Sequence, residues 1–327
     1  MVRMFSFMIY SEKLNFFNSM NTPPTYRKPI SESNILIAGT ARDVAHCIAS
    51  ELNQLISCTR DFKSTKVFIV ESDSSDHTVD CLNQLANEIS FFSFITLGKL
   101  SAAIPSRTQR LSHCRNQIVN VVQADPQFQS IDFVLLADLD GVNGLLTKEK
   151  IAQCWTLEEN WDVICANQLN YYYDIWALRH PYWSPYNYLE QYHHLTPFLG
   201  SHQANQISKI VKQVKLDPTL DLIPVDSAFG GLAIYKREAY ISGNYGFEPG
   251  VVDEVDHAPF HRILRDKGYR IFINPALINC REPSLPPGTH VKRRFILEAL
   301  RWAGNTVLGK HRFHKYLDFL KQDHKNL

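Results

Sequence analysis

The sequence predicts an α/β protein whose mainly parallel central sheet is flanked by helices, and two observations lead there. Short β-branched apolar runs alternate with helically spaced segments from Asn34 onward. Such alternation implies right-handed crossovers and parallel pairing. The 327 residues are 45% hydrophobic and 20% charged, enough to bury a sizeable core.

The elements follow in order. Ile35-Leu36-Ile37-Ala38-Gly39 reads as a buried strand, with Thr40-Ala41-Arg42-Asp43 as its exit loop and a helix over 43–57. Lys66 to Val70 is a second strand, and the polar run Glu71 to Thr78 that follows it suits an N-cap for a helix over Val79–Asn87. Phe91 to Leu97 is a third strand, residues 109–123 are helical, and Phe133 to Ala137 is a fourth strand running into Asp138-Leu139-Asp140-Gly141. Between Asn170 and Phe198 the chain is dense in Tyr and Trp and broken by Pro181, Pro185 and Pro197, which forbids one long helix there. A polar helix is expected over 200–215, a strand over Val225–Tyr235, a helix from Asp253 to Lys267 capped by Gly268, and a strand over Tyr269–Asn274.

Composition removes several function classes. The net charge of +1 argues against a nucleic-acid binder. A mean hydropathy of -0.21 and the lack of a long apolar run argue against a multi-span membrane protein. Seven cysteines contain no C-x-x-C pair, which points to a reducing, cytoplasmic setting and away from a disulfide framework. Residues 1–30 read as a flexible arm ending in a proline-marked linker, and 31–285 as the ordered domain, with halves at 31–145 and 146–285. Residues 286–327 read as a basic helical extension, because nine Lys or Arg face three acids over 290–327. Two readings suit it: peripheral contact with a membrane surface, or a helix packed on the domain with a solvated basic face.

In open α/β sheets ligands bind outside the carboxyl ends of the strands. Three strand exits here are polar: Arg42-Asp43, Glu71 to Asp76, and Asp138 with Asp140. Alternate residues of an extended segment point the same way, so Asp138 and Asp140 can face one hard cation, Mg²⁺ or Mn²⁺, that neutralises a diphosphate. Taken alone the pair is a common acidic turn, and its place after a buried strand is what gives it weight. Aromatic faces between Asn170 and Phe198 suit stacking on sugar rings, with subdomain packing as the blander reading. The Gly230-Gly231 pair would let a ligand approach the backbone closely.

Leu135 to Val142 also resembles the opening of haloacid-dehalogenase phosphohydrolases, in which Asp138 would be the nucleophile and Asp140 the general acid. That motif normally lies on the first strand, whereas about 100 ordered residues, from Asn34 and with at least three strands, precede it here.

The remaining motifs resemble GT-A glycosyltransferases. Phe68 to Thr78 resembles their second strand and loop, Arg110 and Cys114-Arg115-Asn116 the helix before their metal motif, and Phe133 to Asp140 the metal-binding strand. Asp226 to Tyr235 is similar to the acceptor-side strand, and Asp256 to His261 to the acidic helix start. The D-S-A-F-G-G run and the acid-His-x-x-Phe-His run most resemble the fungal capsule-type mannosyltransferase group and its bacterial relatives, over roughly Asn34 to Pro283.

This resemblance implies a hexosyltransferase of glycan, capsule or polysaccharide synthesis. It would move a sugar from a nucleoside-diphosphate donor to a carbohydrate hydroxyl, with Mn²⁺ or Mg²⁺. By the same resemblance Thr40, Ala41 and Arg42 line the nucleotide, and Glu71 accepts hydrogen bonds from base or ribose with help from Asp73. Arg110 and Arg115 face phosphate charge. Asp138 contacts ribose or donor sugar, and with Asp140 it holds the metal. Asp256 is the candidate catalytic carboxylate, with Glu254 and Asp253 as rivals; where the capsule-type group shows Glu before the His, this chain has Asp. His290 would complete the metal shell, with His257 and His261 as alternatives. A catalytically inactive carbohydrate-binding module stays open as a further reading.

Overall fold

The computed structural model describes residues 27–246 and 256–281. Its centre is one eight-stranded sheet: β1 (Asn34–Ala41), β2 (Ser64–Glu71), β3 (Phe92–Thr96), β4 (Phe133–Ala137), β5 (Val163–Gln168), β6 (Ile223–Pro224), β7 (Leu232–Lys236) and β8 (Ile271–Cys280). The spatial order is β3-β2-β1-β4-β7-β5-β8-β6. The four strands from β3 to β4 are parallel, β7 runs antiparallel between β4 and β5, β5 and β8 are parallel, and β6 closes the edge antiparallel. The α/β architecture expected from the sequence is therefore present, and one sheet passes through both expected halves of the domain.

Both faces of the central strands are covered, which explains why β1, β2 and β4 each carry a continuous apolar run. On β1, Leu36 and Ala38 pack toward α3 (Arg107–Ala124), with Ile118 and Val122 opposite, while Ile35 and Ile37 pack toward α1 (Ile48–Cys58), with Leu52 and Leu55 opposite. Helix α2 (Thr78–Glu88) joins the α1 face through Leu82 and Leu85. Each of those β1 side chains is fully buried, and a buried aliphatic side chain of this size contributes about 1.5–3 kcal/mol.

Four expectations need correction. The run 225–235 is not one strand: Gly230 and Gly231 have φ of 70° and 80°, so only Leu232 onward pairs in the sheet. The helix expected at 200–215 is part of α5 (Tyr188–Ser208), which carries Pro197 and breaks at Gly200, where φ is 78° and ψ 160°. The helix expected over 43–57 starts five residues later, because Asp43 takes φ 52° in the exit loop. Strand β5 and helix α4 (Lys148–Gln153) lie where no element was assigned. Helices α6 (Arg237–Ser242) and α7 (His257–Asp266) complete the fold. No helix among the described residues is long and apolar enough to cross a membrane. The expected arm at 1–30 lies almost wholly, and the extension at 286–327 entirely, outside the described residues.

Candidate active site

Strand order reverses between β1 and β4, since β2 continues from β1 to one side and β4 lies on the other. Such a switch point opens a crevice at the carboxyl ends of the strands. A cavity of about 360 Å³ occupies it, bordered by Thr40, Ala41 and Arg42 from the β1 exit and by Asp138 and Asp140 from the β4 exit.

The β4 exit loop is held from below by polar contacts. The Asp138 amide donates to the Gly231 carbonyl at 2.9 Å. Asn143 Nδ2 donates to the Asp138 carbonyl at 2.9 Å and to Glu51 Oε1 at 2.5 Å, and the Asn143 amide donates to the same Glu51 oxygen at 3.1 Å. Asn279 Nδ2 donates to Asn143 Oδ1 at 3.2 Å, and Gln168 Nε2 to Asn279 Oδ1 at 3.2 Å. Glu51, Asn143, Asn279 and Gln168 are all buried. Leu139 turns into the core, while Asp138 and Asp140 face the cavity, as alternation along an extended segment requires.

Arg115 sits at the centre. It is buried on α3, donates from Nη1 to Asp256 Oδ2 at 2.5 Å and from Nη2 to Asp138 Oδ1 at 3.4 Å, and lies 5.5 Å from the Phe229 ring centre. Burial works against its charge, but Asp256 and Asp138 outweigh that and raise it above the ordinary arginine value. Asp138 is 37% exposed to the cavity yet enclosed by protein. Burial pushes its carboxyl up to about 7, with Asp140, Asp174 and Asp256 adding to the rise and Arg115 opposing it.

Of three expected nucleotide contacts, Glu71 lies off the cavity, while Arg110 and Asp73 border it with polar atoms already engaged. Glu71 is sealed beneath the β2 exit: Oε1 accepts from the Ser74 amide at 3.0 Å, Oε2 accepts from the Thr96 hydroxyl, and the residue does not border the cavity. Arg110 borders it, but Nη1 donates to the Ile104 and Pro105 carbonyls at 2.7 Å each, and Nε lies 3.4 Å from Asp73 Oδ2. Asp73 borders the cavity while its Oδ1 accepts from the Ser101 amide at 2.8 Å. The polar run after β2 welds two exit loops together, because Asp76 accepts from the Ala45 amide at 3.1 Å and Thr78 Oγ1 accepts from the Val44 amide at 2.8 Å.

Asp256 begins α7 without capping it, its carboxylate turned to Arg115. Glu254, Asp253 and His290 lie outside the described residues. His261 cannot serve a metal, because Ser227 Oγ and Tyr235 Oη hold its two ring nitrogens at 3.0 and 2.9 Å. Among the described residues no group of three or more His, Cys, Asp or Glu is arranged around one metal position. Asp138 and Asp140 both border the cavity, and two carboxylates could serve an ion that draws its remaining ligands from phosphate and water.

The cavity also has borders that the sequence left unassigned. Asp174 projects from the aromatic segment, accepts from the Ala177 and Gly230 amides at 3.2 and 3.0 Å, and is raised by burial. A lone acid inside Tyr171-Tyr172-Tyr173-Asp174-Ile175-Trp176 was the signal available for it. Arg107, at the first turn of α3, is exposed on the rim. Of the aromatic residues, Tyr171, Tyr172 and Trp183 are core, and only Tyr173 and Trp176 border the cavity. The glycine pair approaches protein instead of ligand: a Cβ on Gly230 would stand 2.6 Å from the Ala166 carbonyl oxygen, and one on Gly231 3.0 Å from Tyr173 Oη.

No protein-family model and no curated protein matches this chain. Solved structures similar in chain path include a mannosyltransferase from Pyrobaculum calidifontis in complex with GDP-Man and Mn²⁺, 16% identical at TM-score 0.42, over 85% of this chain and 66% of that one. S. aureus TarS 1-349 in complex with UDP-GlcNAc is 17% identical at TM-score 0.40, over 85% and 67%. Glucosyl-3-phosphoglycerate synthase from Mycobacterium tuberculosis with UDP is 13% identical at TM-score 0.37, over 82% and 79%. This chain thus spans just under two thirds of the first of these. Such partial likeness in chain path assigns no residue a role.

Proposed function

We propose that this protein is a metal-dependent glycosyltransferase of GT-A type, moving a sugar from a nucleoside-diphosphate donor to a carbohydrate hydroxyl. One observation carries the reading: Asp138 and Asp140 leave β4 into a crevice at the sheet's switch point, where Asp140, Asp174 and Asp256 crowd Asp138 with like charge. A carboxylate raised first by burial and further by acidic neighbours, against the pull of Arg115, is relieved by a divalent cation. Asp138 and Asp140 would hold Mn²⁺ or Mg²⁺, which when bound supplies charge neutralisation to a diphosphate leaving group.

The chain's own groups do the rest. Thr40, Ala41 and Arg42 border the side where a nucleotide would lie, and Arg42 and Arg107 bring positive charge to its rim. Arg115 fixes Asp256 through one oxygen, leaving Oδ1 without a hydrogen-bond partner and available to a ligand. In a retaining transfer, which the capsule-type resemblance favours, that oxygen orients substrate or stabilises developing positive charge. The haloacid-dehalogenase reading is not favoured, since no lysine among the described residues borders the cavity and three described strands precede β4 in the chain.

A thermal-shift panel of nucleotide sugars with and without MnCl₂ tests the proposal, because a ligand that binds only the folded state raises the melting temperature. Stabilisation by a sugar nucleotide that requires the metal supports it. Indifference to every nucleotide sugar contradicts it.

A further inference from the structure

His257 and His261 lie one turn apart on α7 with ring centres 5.7 Å apart, both buried, but only one is satisfied. His261 has both ring nitrogens hydrogen-bonded. His257 has neither, although its ring is stacked on Phe229 at 4.0 Å and is only 2% exposed. It borders the cavity. A buried polar atom left unpaired costs about 1–3 kcal/mol, so a partner from within the cavity is the expected resolution.

Asp73 Oδ2 also lacks a hydrogen bond on the cavity border but is ion-paired with Arg110 Nε at 3.4 Å; two other atoms share the condition of His257. Asp256 Oδ1 and Trp176 Nε1 are buried and unbonded, and both residues border the same cavity. Together the three side chains offer a carboxylate acceptor, an indole donor, and an imidazole with one donor and one acceptor. A phosphate cannot donate to Asp256 and is repelled by it. An apolar ligand would leave every one of these atoms unpaired. Hydroxyl groups, which donate and accept, satisfy the whole set.

We infer that His257, Asp256 Oδ1 and Trp176 Nε1 form a hydroxyl-reading subsite for a sugar ring on the inner wall of the cavity. That the hydroxyls belong to a sugar rests on the glycosyl-transfer reading; the mix of donors and acceptors does not. His257 is neutral in this role, as burial, Arg115 and His261 hold it well below the ordinary imidazole value.

The test uses the full chain and two variants that keep their ring packing. His257→Phe preserves the stack on Phe229, and Trp176→Phe preserves the edge contact with Tyr188. Calorimetric titrations with UDP-glucose, UDP-N-acetylglucosamine and GDP-mannose, and with UDP and GDP, are run in MnCl₂. If the ring is the donor's sugar, each variant weakens the sugar nucleotide about tenfold per lost hydrogen bond and leaves the diphosphate unchanged. If the ring is the acceptor's, sugar nucleotides bind as in wild type, while stabilisation of the UDP-loaded or GDP-loaded protein by glucose, mannose or N-acetylglucosamine disappears in both variants. Either pattern supports the subsite. Free sugars bound through His257 without any nucleotide binding would keep the subsite and remove the glycosyl-transfer reading. Unchanged binding of every probe in both variants, or no sugar-bearing ligand bound by wild type, overturns the inference.

Discussion

Arg115 on α3 and Asp256 at the head of α7 meet at 2.5 Å across 141 residues of sequence, with side chains 7% and 1% exposed. Removing the arginine strands Asp256 and leaves Asp138 without its cation. Arg115→Met is expected to cost about 3–5 kcal/mol. Asp256→Asn leaves Arg115 facing Asp138 and is expected to cost less, about 1–3 kcal/mol. Urea unfolding of the two variants gives both values, and the order is the informative part.

The α7 histidines predict a pH dependence. Their folded-state values lie below the ordinary 6.5, and His261 is lowered to about 3, burial being the first cause in each. The unfolded chain therefore takes up protons first as pH falls. Their contribution is complete above about 6.5 and is lost progressively below it, for His261 down to about 3. Asp138, raised to about 7, acts in the opposite sense: its contribution is present at low pH and lost as pH rises through 7. The difference between wild type and His257→Phe isolates one imidazole. It should change by about 1.4 kcal/mol per pH unit below 6.5. Urea unfolding at steps between pH 7 and 5 measures this, and a difference that does not vary with pH would refute the assignment.

Glu51 supports the metal-side loop from beneath. Glu51→Leu leaves the Asn143 amide and Nδ2 without an acceptor they now share, and is expected to cost about 2–4 kcal/mol. Glu51→Gln keeps an acceptor oxygen, and burial already raises the carboxyl toward its neutral form, so it should stay within about 1.5 kcal/mol. Denaturant midpoints of the two variants compare them directly.

Gly230 combines φ 70° with a Cβ position 2.6 Å from a backbone oxygen. Gly230→Ala should cost about 2–5 kcal/mol, from left-handed strain plus overpacking. Gly98, at φ 62° with nothing within 4 Å of its Cβ position, provides the control. Gly98→Ala should cost only the strain, about 1–2 kcal/mol. Melting temperatures of the pair separate the two contributions.

The strands β1, β2 and β4 were legible because burial on both faces leaves each a continuous apolar run, over residues 35–38, 67–70 and 133–137. The direction of β7 was not, since nothing in Leu232–Lys236 distinguishes parallel from antiparallel pairing. Strand β5 escaped because it ends in Asn167 and Gln168, whose burial is compensated by the distant Pro275 and Gly230 carbonyls. At the site, strand and helix context was enough to single out Asp138, Asp140 and Asp256, which the fold places around one cavity. Glu71 was not: whether a strand-end carboxylate faces a ligand or its own loop depends on Thr96, 25 residues away. Asp174 and Trp176 lay inside an aromatic run whose other members range from core (Tyr171, Tyr172, Trp183) to exposed (Tyr182), and only the fold separates wall from core.

The central claim is that Asp138 and Asp140 hold a divalent ion that in turn engages a diphosphate. Titration of Mn²⁺ followed by loss of its free-ion EPR signal, in the presence of UDP or GDP, addresses it most directly. The account predicts a single Mn²⁺ held per chain with the diphosphate present, lost in both Asp138→Asn and Asp140→Asn. Equal Mn²⁺ binding by wild type and both variants, or none by wild type, would contradict it.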